Sequence, residues 1–475
     1  MSSIIAWFKF IFSRLFQNPL TQRVIRNSSY LFSAQSIGVV LSTGQSILSA
    51  RLLGPVGAGA IELVTQFSSN VNRLTSFRMG ELVISYVGEY EAGDQPKNAA
   101  AAFKAALLME SASSLLAFSL IITLARFGAQ FFADDISLAP LFGLYGLIVV
   151  ANMIYESSNG LLQYYNRYRT IAIIQVGQSF VTLLLIVLIY FTDLSAWVNL
   201  QFGGWLPSEG ELKALPAVVM AYMVGKIILG GAMALAALGQ AYRVWGGRWW
   251  LTSLSALSGR WRGLLRFAFS TNLTGTLTLI TRDSETLWLG ALASNAMVGY
   301  YKTARAILNF LIMPIEPLIS TTFREAAREI AQRQWNNVRY ILRSASILAS
   351  VWTLPASLGL VLLGRWIIGW YGQEFLPVSY YTILIMLIGA IVNNVLFWNR
   401  TVLLPLGYPD FPTKVQFVGA LVKIGLIVWL IPNLGAIGMA LTYSIFLTGT
   451  VGVLVWRTIK EIGASQDRNS VSVGA

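Results

Sequence analysis

The chain has 475 residues, a mean hydropathy of +0.62, 55% hydrophobic residues and 12% charged ones, values outside the range of soluble domains. Its net charge of +13 comes with no cysteine and no histidine. That excludes disulfides, thiolate or imidazole metal sites, cysteine nucleophiles and histidine bases.

Residues 1–26 carry Lys9 and Arg14 among Trp7, Phe8, Phe10, Phe12 and Phe16. They predict an amphipathic helix lying in the cytoplasmic interface, not a cleaved signal peptide. Beyond them, apolar runs recur at about the 20 residues needed to cross the hydrocarbon core. Twelve candidate spans lie at about 27–52, 57–87, 104–127, 139–163, 170–191, 214–238, 264–289, 294–321, 340–368, 379–404, 412–431 and 435–457. In lipid each helix satisfies its own backbone, and the ten-residue alternation of a membrane barrel is absent. The expected fold is an all-α polytopic membrane protein.

The positive charge is unevenly placed. With the N-terminus in the cytoplasm, 23 of the 34 Lys and Arg residues fall in cytoplasmic segments and four (Arg51, Arg126, Lys213 and Arg365) fall outside. This positive-inside bias predicts that both termini are cytoplasmic. The basic excess then reports topology and contact with anionic membrane lipids, and no nucleic-acid partner is expected.

A basic linker, 242–263, separates two halves of six candidate spans each, 27–241 and 264–457, and a cytoplasmic tail follows at 458–475. Matching Gly59 to Gly299 puts Glu62 on Lys302, Ser69 on Asn309, Ser76 on Glu316 and Gly80 on Ser320. Both halves start from the cytoplasm with an even number of spans, so they predict parallel pseudo-repeats.

Polar residues follow a helical period in four spans. Glu62, Gln66, Ser69, Arg73, Ser76 and Gly80 share one face of the second span, and Gln35, Gly38, Ser42, Gln45 and Ser49 share one of the first. The seventh offers Thr271, Thr274, Thr278, Arg282 and Glu285, and the eighth Lys302, Arg305, Asn309 and Glu316. Polar stripes in lipid face other helices or water, so the four predict a central polar cavity between the halves. Each central charge costs roughly 2.5–3.5 kcal/mol on insertion scales, which points to use. Arg73, Arg282, Lys302 and Arg305, with Gln66 and Asn309, are candidate substrate contacts, because guanidinium forks match phosphate oxygens. Glu62, Glu110, Asp283, Glu285 and Glu316 are candidate ion-coupling or charge-balancing groups. Arg282 and Glu285 are also spaced to neutralise each other. Pro314 and Pro317 should kink the eighth span, as a hinge or as a static bend. Glu156 and Lys226 are secondary candidates.

The stretch "NSSYLFSAQSIGVVLSTGQSILSARLLGPVGAGAIELV" resembles the N-terminal signature of Wzx-type polysaccharide flippases. "ETLWLGALASNAMVGYYKTARAI" is similar to the stretch of that family with an acid, an apolar run with Gly, then Val-Gly-Tyr-Tyr. The resemblance covers nearly the whole chain. It implies a MATE-like fold of the multidrug/oligosaccharidyl-lipid/polysaccharide superfamily. The implied activity is transfer of polyprenyl-pyrophosphate-linked oligosaccharide across the cytoplasmic membrane, without catalysis or a bound cofactor, and driven by an ion or proton gradient. It also implies a polysaccharide polymerase and chain-length machinery as partners. The family acid falls on Glu285, five residues before Gly290, and Asp283 is an additional acid. An ion-coupled multidrug antiporter shares the design but calls for an acid-dominated cavity. A lipid II-type flippase would carry two further C-terminal helices. A glycan polymerase or ligase needs a large outer loop, and a scaffold leaves the intramembrane charges unexplained.

Overall fold

A computed structural model describes residues 19–77, 79–202, 212–257, 259–264, 279, 283–408 and 410–473. Residues 1–18 of the expected interfacial helix, and Thr271, Thr274, Thr278 and Arg282, lie outside them. The described residues form helices and no strand. In order these are α1 (Pro19–Thr75), α2 (Met79–Ala92), α3 (Pro96–Phe132), α4 (Ala139–Ala151), α5 (Tyr155–Tyr164), α6 (Tyr168–Phe191), α7 (Leu194–Phe202) and α8 (Leu215–Trp245). They continue with α9 (Glu285–Leu292), α10 (Asn295–Ile312), α11 (Glu316–Ala331), α12 (Trp335–Gly369), α13 (Leu376–Val395) and α14 (Asp410–Val473).

Local chemistry explains many boundaries. A proline sits in the first turn of α4, α8, α11 and α13, where its missing N–H has no helical partner in any case. Ser294 caps α10 by accepting from the Met297 N–H at 3.4 Å. Within α1, Gly54 takes φ 60° and ψ −175°, a left-handed conformation, and Pro55 follows it. Gly435 does the same within α14 at φ 54°. Among the described residues, eight segments are long and apolar enough to cross a membrane. Two of them, Ser33–Ala92 and Asp410–Gln466, contain these glycines, and each covers two of the spans expected from the sequence. Most of the expected seventh span, 264–289, lies outside the described residues. The second expected span is interrupted, because α1 ends at Thr75 and α2 begins at Met79.

The chain divides into two compact units. The first contains Met1–Ser49, Phe67–Arg126 and Ser137–Leu277, and the second Ala50–Gln66, Phe127–Ile136 and Thr278–Ala475. In the first unit the basic linker is folded onto its own helices. Trp245 Nε1 donates to Glu91 at 2.7 Å, Lys104 Nζ to the Thr252 carbonyl at 3.1 Å, and Arg260 pairs with Glu89 at 2.5 Å. Leu257 and Leu264 are buried in a cluster with Phe103, against which Trp245, Trp249 and Trp261 pack. Tyr165 donates to the same Glu91 at 3.1 Å, and burial, with the Glu91 carboxylate beside it, pushes its phenol up, so it remains a donor. In the second unit a core of Ile315, Ala326, Val338, Ala349, Val402 and Ile462 joins α11, α12 and α14 with the segments just before α11 and α14.

Candidate functional site

Along α10 the apolar residues Val298, Tyr301, Ala304, Ile307, Leu308 and Leu311 are buried. The polar residues at the intervening positions are less so: Lys302 and Arg305 are half-buried and Asn309 is exposed. The spacing seen in the sequence thus becomes one polar side of an amphipathic helix.

Glu285, 2% exposed, opens α9 and is the centre of a buried charge cluster. Its Oε2 accepts from Tyr301 at 2.7 Å and pairs with Arg305 at 2.7 Å, and its Oε1 pairs with Lys423 of α14. Lys423 is itself 3% exposed, and its ammonium also stands 4.9 Å over the Phe446 ring. Position in the first turn of α9 adds the positive end of a helix dipole. One carboxylate therefore faces two cations, and Arg305 keeps a quarter of its side chain accessible. Sequence spacing suggested Arg282 as the partner of Glu285; Arg282 lies outside the described residues.

A second ion pair lies one turn away. Lys302 Nζ is 3.1 Å from Glu62, at positions equivalent by the 240-residue offset that matches Gly59 to Gly299. The backbones meet in the same register. A Cβ on Gly59 would stand 1.7 Å from the Asn295 carbonyl, and one on Gly299 would stand 2.2 Å from the Pro55 carbonyl. Residues 55 and 295 are equivalent by that offset too, so the start of the post-Gly54 helix and the start of α10 cross as pseudo-equivalent partners. Only glycine permits so close an approach. Further along, Gln66 Nε2 donates to the Asp283 carbonyl at 2.5 Å.

The proline break is clear. Met313–Ile315 form a 3-10 turn between α10 and α11, with Pro314 inside it and Pro317 in the first turn of α11. The Leu311 carbonyl just before it accepts from Trp352 Nε1 of α12 at 3.1 Å and from Asn394 Nδ2 of α13 at 2.9 Å. The freed backbone is thus held by side chains of two other helices.

In the first unit, Arg73 is exposed, near the end of α1. Gly80 does not continue the stripe expected along the second span. It starts α2 and packs on α5, where a Cβ on Gly160 would stand 2.5 Å from the Gly80 carbonyl. The reason is the break at Ser76–Phe77, which resets the helical phase. Glu110 of α3 is buried against the first turn of α5, where Glu156 also lies. Lys226 and Glu316 are exposed.

A family of sequences described as "Polysaccharide biosynthesis protein" matches residues 24–323, more than half of the chain. The chain belongs to that family. Within its matched span fall Glu62, Gln66, Glu285, Lys302 and Arg305, whereas Lys423 falls beyond it.

Among individual relatives, a "Probable flippase AglR" of Haloferax volcanii is 27% identical over 167 residues. That match covers 34% of this chain and 35% of the relative, so it spans about a third of the relative's length. Among solved structures, an inward-facing multidrug resistance MATE family transporter of the MOP superfamily superposes with a TM-score of 0.69 at 14% identity, covering 90% of this chain and 96% of that one. The lipid II flippase MurJ in an inward closed conformation gives 0.65 at 15% identity, covering 93% and 90%. At such identities the likeness is one of fold, and it establishes the MATE-like, all-helical membrane architecture expected from the sequence.

Proposed function

We propose that this protein is a flippase that moves polyprenyl-pyrophosphate-linked oligosaccharide across the cytoplasmic membrane by alternating access, coupled to an ion or proton gradient. The observation that carries the reading is the cluster of cations around Glu285. Arg305, Lys423 and Lys302 stand against the carboxylates of Glu285 and Glu62, and Arg305 is partly accessible. An accessible guanidinium in an apolar setting suits a pyrophosphate, and it disfavours the cationic drugs that an antiporter would carry. Membership in a polysaccharide biosynthesis family and the similarity to a probable flippase support a flippase that serves polysaccharide synthesis.

In this reading Arg305 and Lys302, with Arg73, Arg282, Gln66 and Asn309, contact the pyrophosphate and sugar, while the polyprenyl tail stays in lipid. The two halves, 27–241 and 264–457, are the moving parts, and the Pro314 and Pro317 break lets α10 and α11 bend. Residues 1–26 and 458–475 lie on the cytoplasmic face with the linker 242–263. The protein moves its substrate without catalysing a reaction, and its partners are the polymerase and chain-length machinery that use the delivered glycan. Deletion of the gene, followed by leaflet-resolved extraction of lipid-linked sugars, tests the reading. Accumulation on the cytoplasmic leaflet is expected, and an unchanged distribution would sink it.

A further inference from the structure

Glu110 is placed differently from Glu62 and Glu285. It is 4% exposed, and among the described residues no cation pairs with it. Its carboxylate accepts three hydrogen bonds instead, from the Glu156 N–H at 2.8 Å, the Ser157 N–H at 2.9 Å and the Ser157 hydroxyl at 2.5 Å. All three donors belong to the first turn of α5. That helix begins after a non-helical turn at Asn152–Ile154, and Ile154, at its N-terminal boundary, has no side-chain cap to offer. A carboxylate from α3 therefore satisfies backbone donors that a local Ser or Asp would ordinarily take.

The surroundings are tight on one side and unsatisfied on the other. Gly160 of α5 sits against the Gly80 backbone, and a Cβ on Gly80 would stand 3.0 Å from the Glu156 carbonyl. Ser158 Oγ and Asn159 Oδ1, in the same turn, are buried without a hydrogen bond. The charge beside Glu110 is Glu156, a like charge. On the helices packed against α5, Glu81 of α2, Arg169 of α6 and Lys226 of α8 make no bond to it. Glu89 of α2 is taken by Arg260, and Glu91 by Tyr165 and Trp245.

We propose that Glu110 is a proton-binding site and that its protonation releases the first turn of α5. As the anion it accepts all three bonds and benefits from the helix dipole. Once protonated, the carboxyl can donate only to the Ser157 hydroxyl, which reverses that bond, and the Glu156 and Ser157 N–H groups are left with a neutral, weaker acceptor and without the charge–dipole attraction. α5 is then free to shift at its Asn152–Ile154 turn. The proton site stands on this geometry alone. Its use in driving transport rests on the proposed function.

Amide hydrogen–deuterium exchange on the full-length protein in lipid nanodiscs tests it, with rates corrected for the intrinsic pH dependence of exchange. In the wild type, protection across 155–159 should fall about tenfold between about pH 9 and pH 5, roughly the equivalent of replacing a charged acceptor of hydrogen bonds by a neutral one. In Glu110→Gln, protection should be low and independent of pH. Ser157→Ala, which keeps the acid but removes a donor to its anion, should move the transition to higher pH. A wild type without a transition, a Gln variant that retains it, or a Ser157→Ala variant with an unmoved midpoint would overturn the proposal. Because no substrate is present, a protein that shows this transition yet moves no lipid-linked sugar refutes the proposed function and leaves the proton site standing.

Discussion

Glu285 holds one buried cation, Lys423, and one partly accessible one, Arg305, so its removal is costlier than the loss of one contact. Glu285→Gln leaves Lys423 and Arg305 without their counter-charge, and the expected loss is about 3–5 kcal/mol. Lys423→Met leaves the Glu285–Arg305 pair intact and should cost less, and the double variant should recover part of the loss of Glu285→Gln. Thermal unfolding of the detergent-solubilised variants measures the cycle; additive losses would show that the cluster does not act as a unit. Glu285 was legible in the sequence because it falls on a family stretch. Lys423 was not, since 138 residues separate it from Glu285. Its signal was nevertheless present, as a lone lysine within the apolar run "FVGALVKIGLIVWL", where a charge requires a partner. Tyr301 gave no signal, because its hydroxyl sits among residues that read as an apolar helix face.

At the level of helices, the Gly59–Gly299 crossing fixes how the start of α10 meets the helix after Gly54. Gly299→Val forces a Cβ into the Pro55 carbonyl and should destabilise the protein by about 1–3 kcal/mol or more, read as a lowered unfolding temperature. Gly239→Ala, at a position with open space around it, is the matched control. The neighbouring Glu62–Lys302 pair is partly accessible, so its contribution to stability is expected to be only about 0–1 kcal/mol. The pairing is better read from charge reversal: the swap Glu62→Lys with Lys302→Glu should restore the unfolding temperature lowered in either single reversal, and failure of the swap would show that the pairing is incidental. The linker offers a third test. Glu91→Ala removes the acceptor of Trp245 and Tyr165, and limited proteolysis should then cut 246–263 faster than in the wild type. These helix-scale features were partly legible. The repeat offset and the proline break follow from spacing and residue type. The interruption at Ser76–Phe77, which takes Gly80 off the polar stripe, does not, because its cause is packing of Gly80 on α5.

For the whole molecule, the all-helical membrane class came from hydropathy and charge, which act over the full chain and survive any local misreading. The grouping of residues 50–66 and 127–136 with the C-terminal segment was not legible, since it depends on contacts between segments far apart in sequence. The central claim is that this membrane protein carries a lipid-linked pyrophosphate sugar by means of an accessible cationic cluster. Purified protein in sealed vesicles, loaded with polyprenyl-pyrophosphate oligosaccharide on the inner leaflet, tests it through a lectin added outside. The wild type should expose the sugar to the lectin over time, and Arg305→Gln should slow exposure at least about tenfold while remaining folded. Exposure no faster than in protein-free vesicles, or an Arg305→Gln variant as fast as the wild type, would contradict the account.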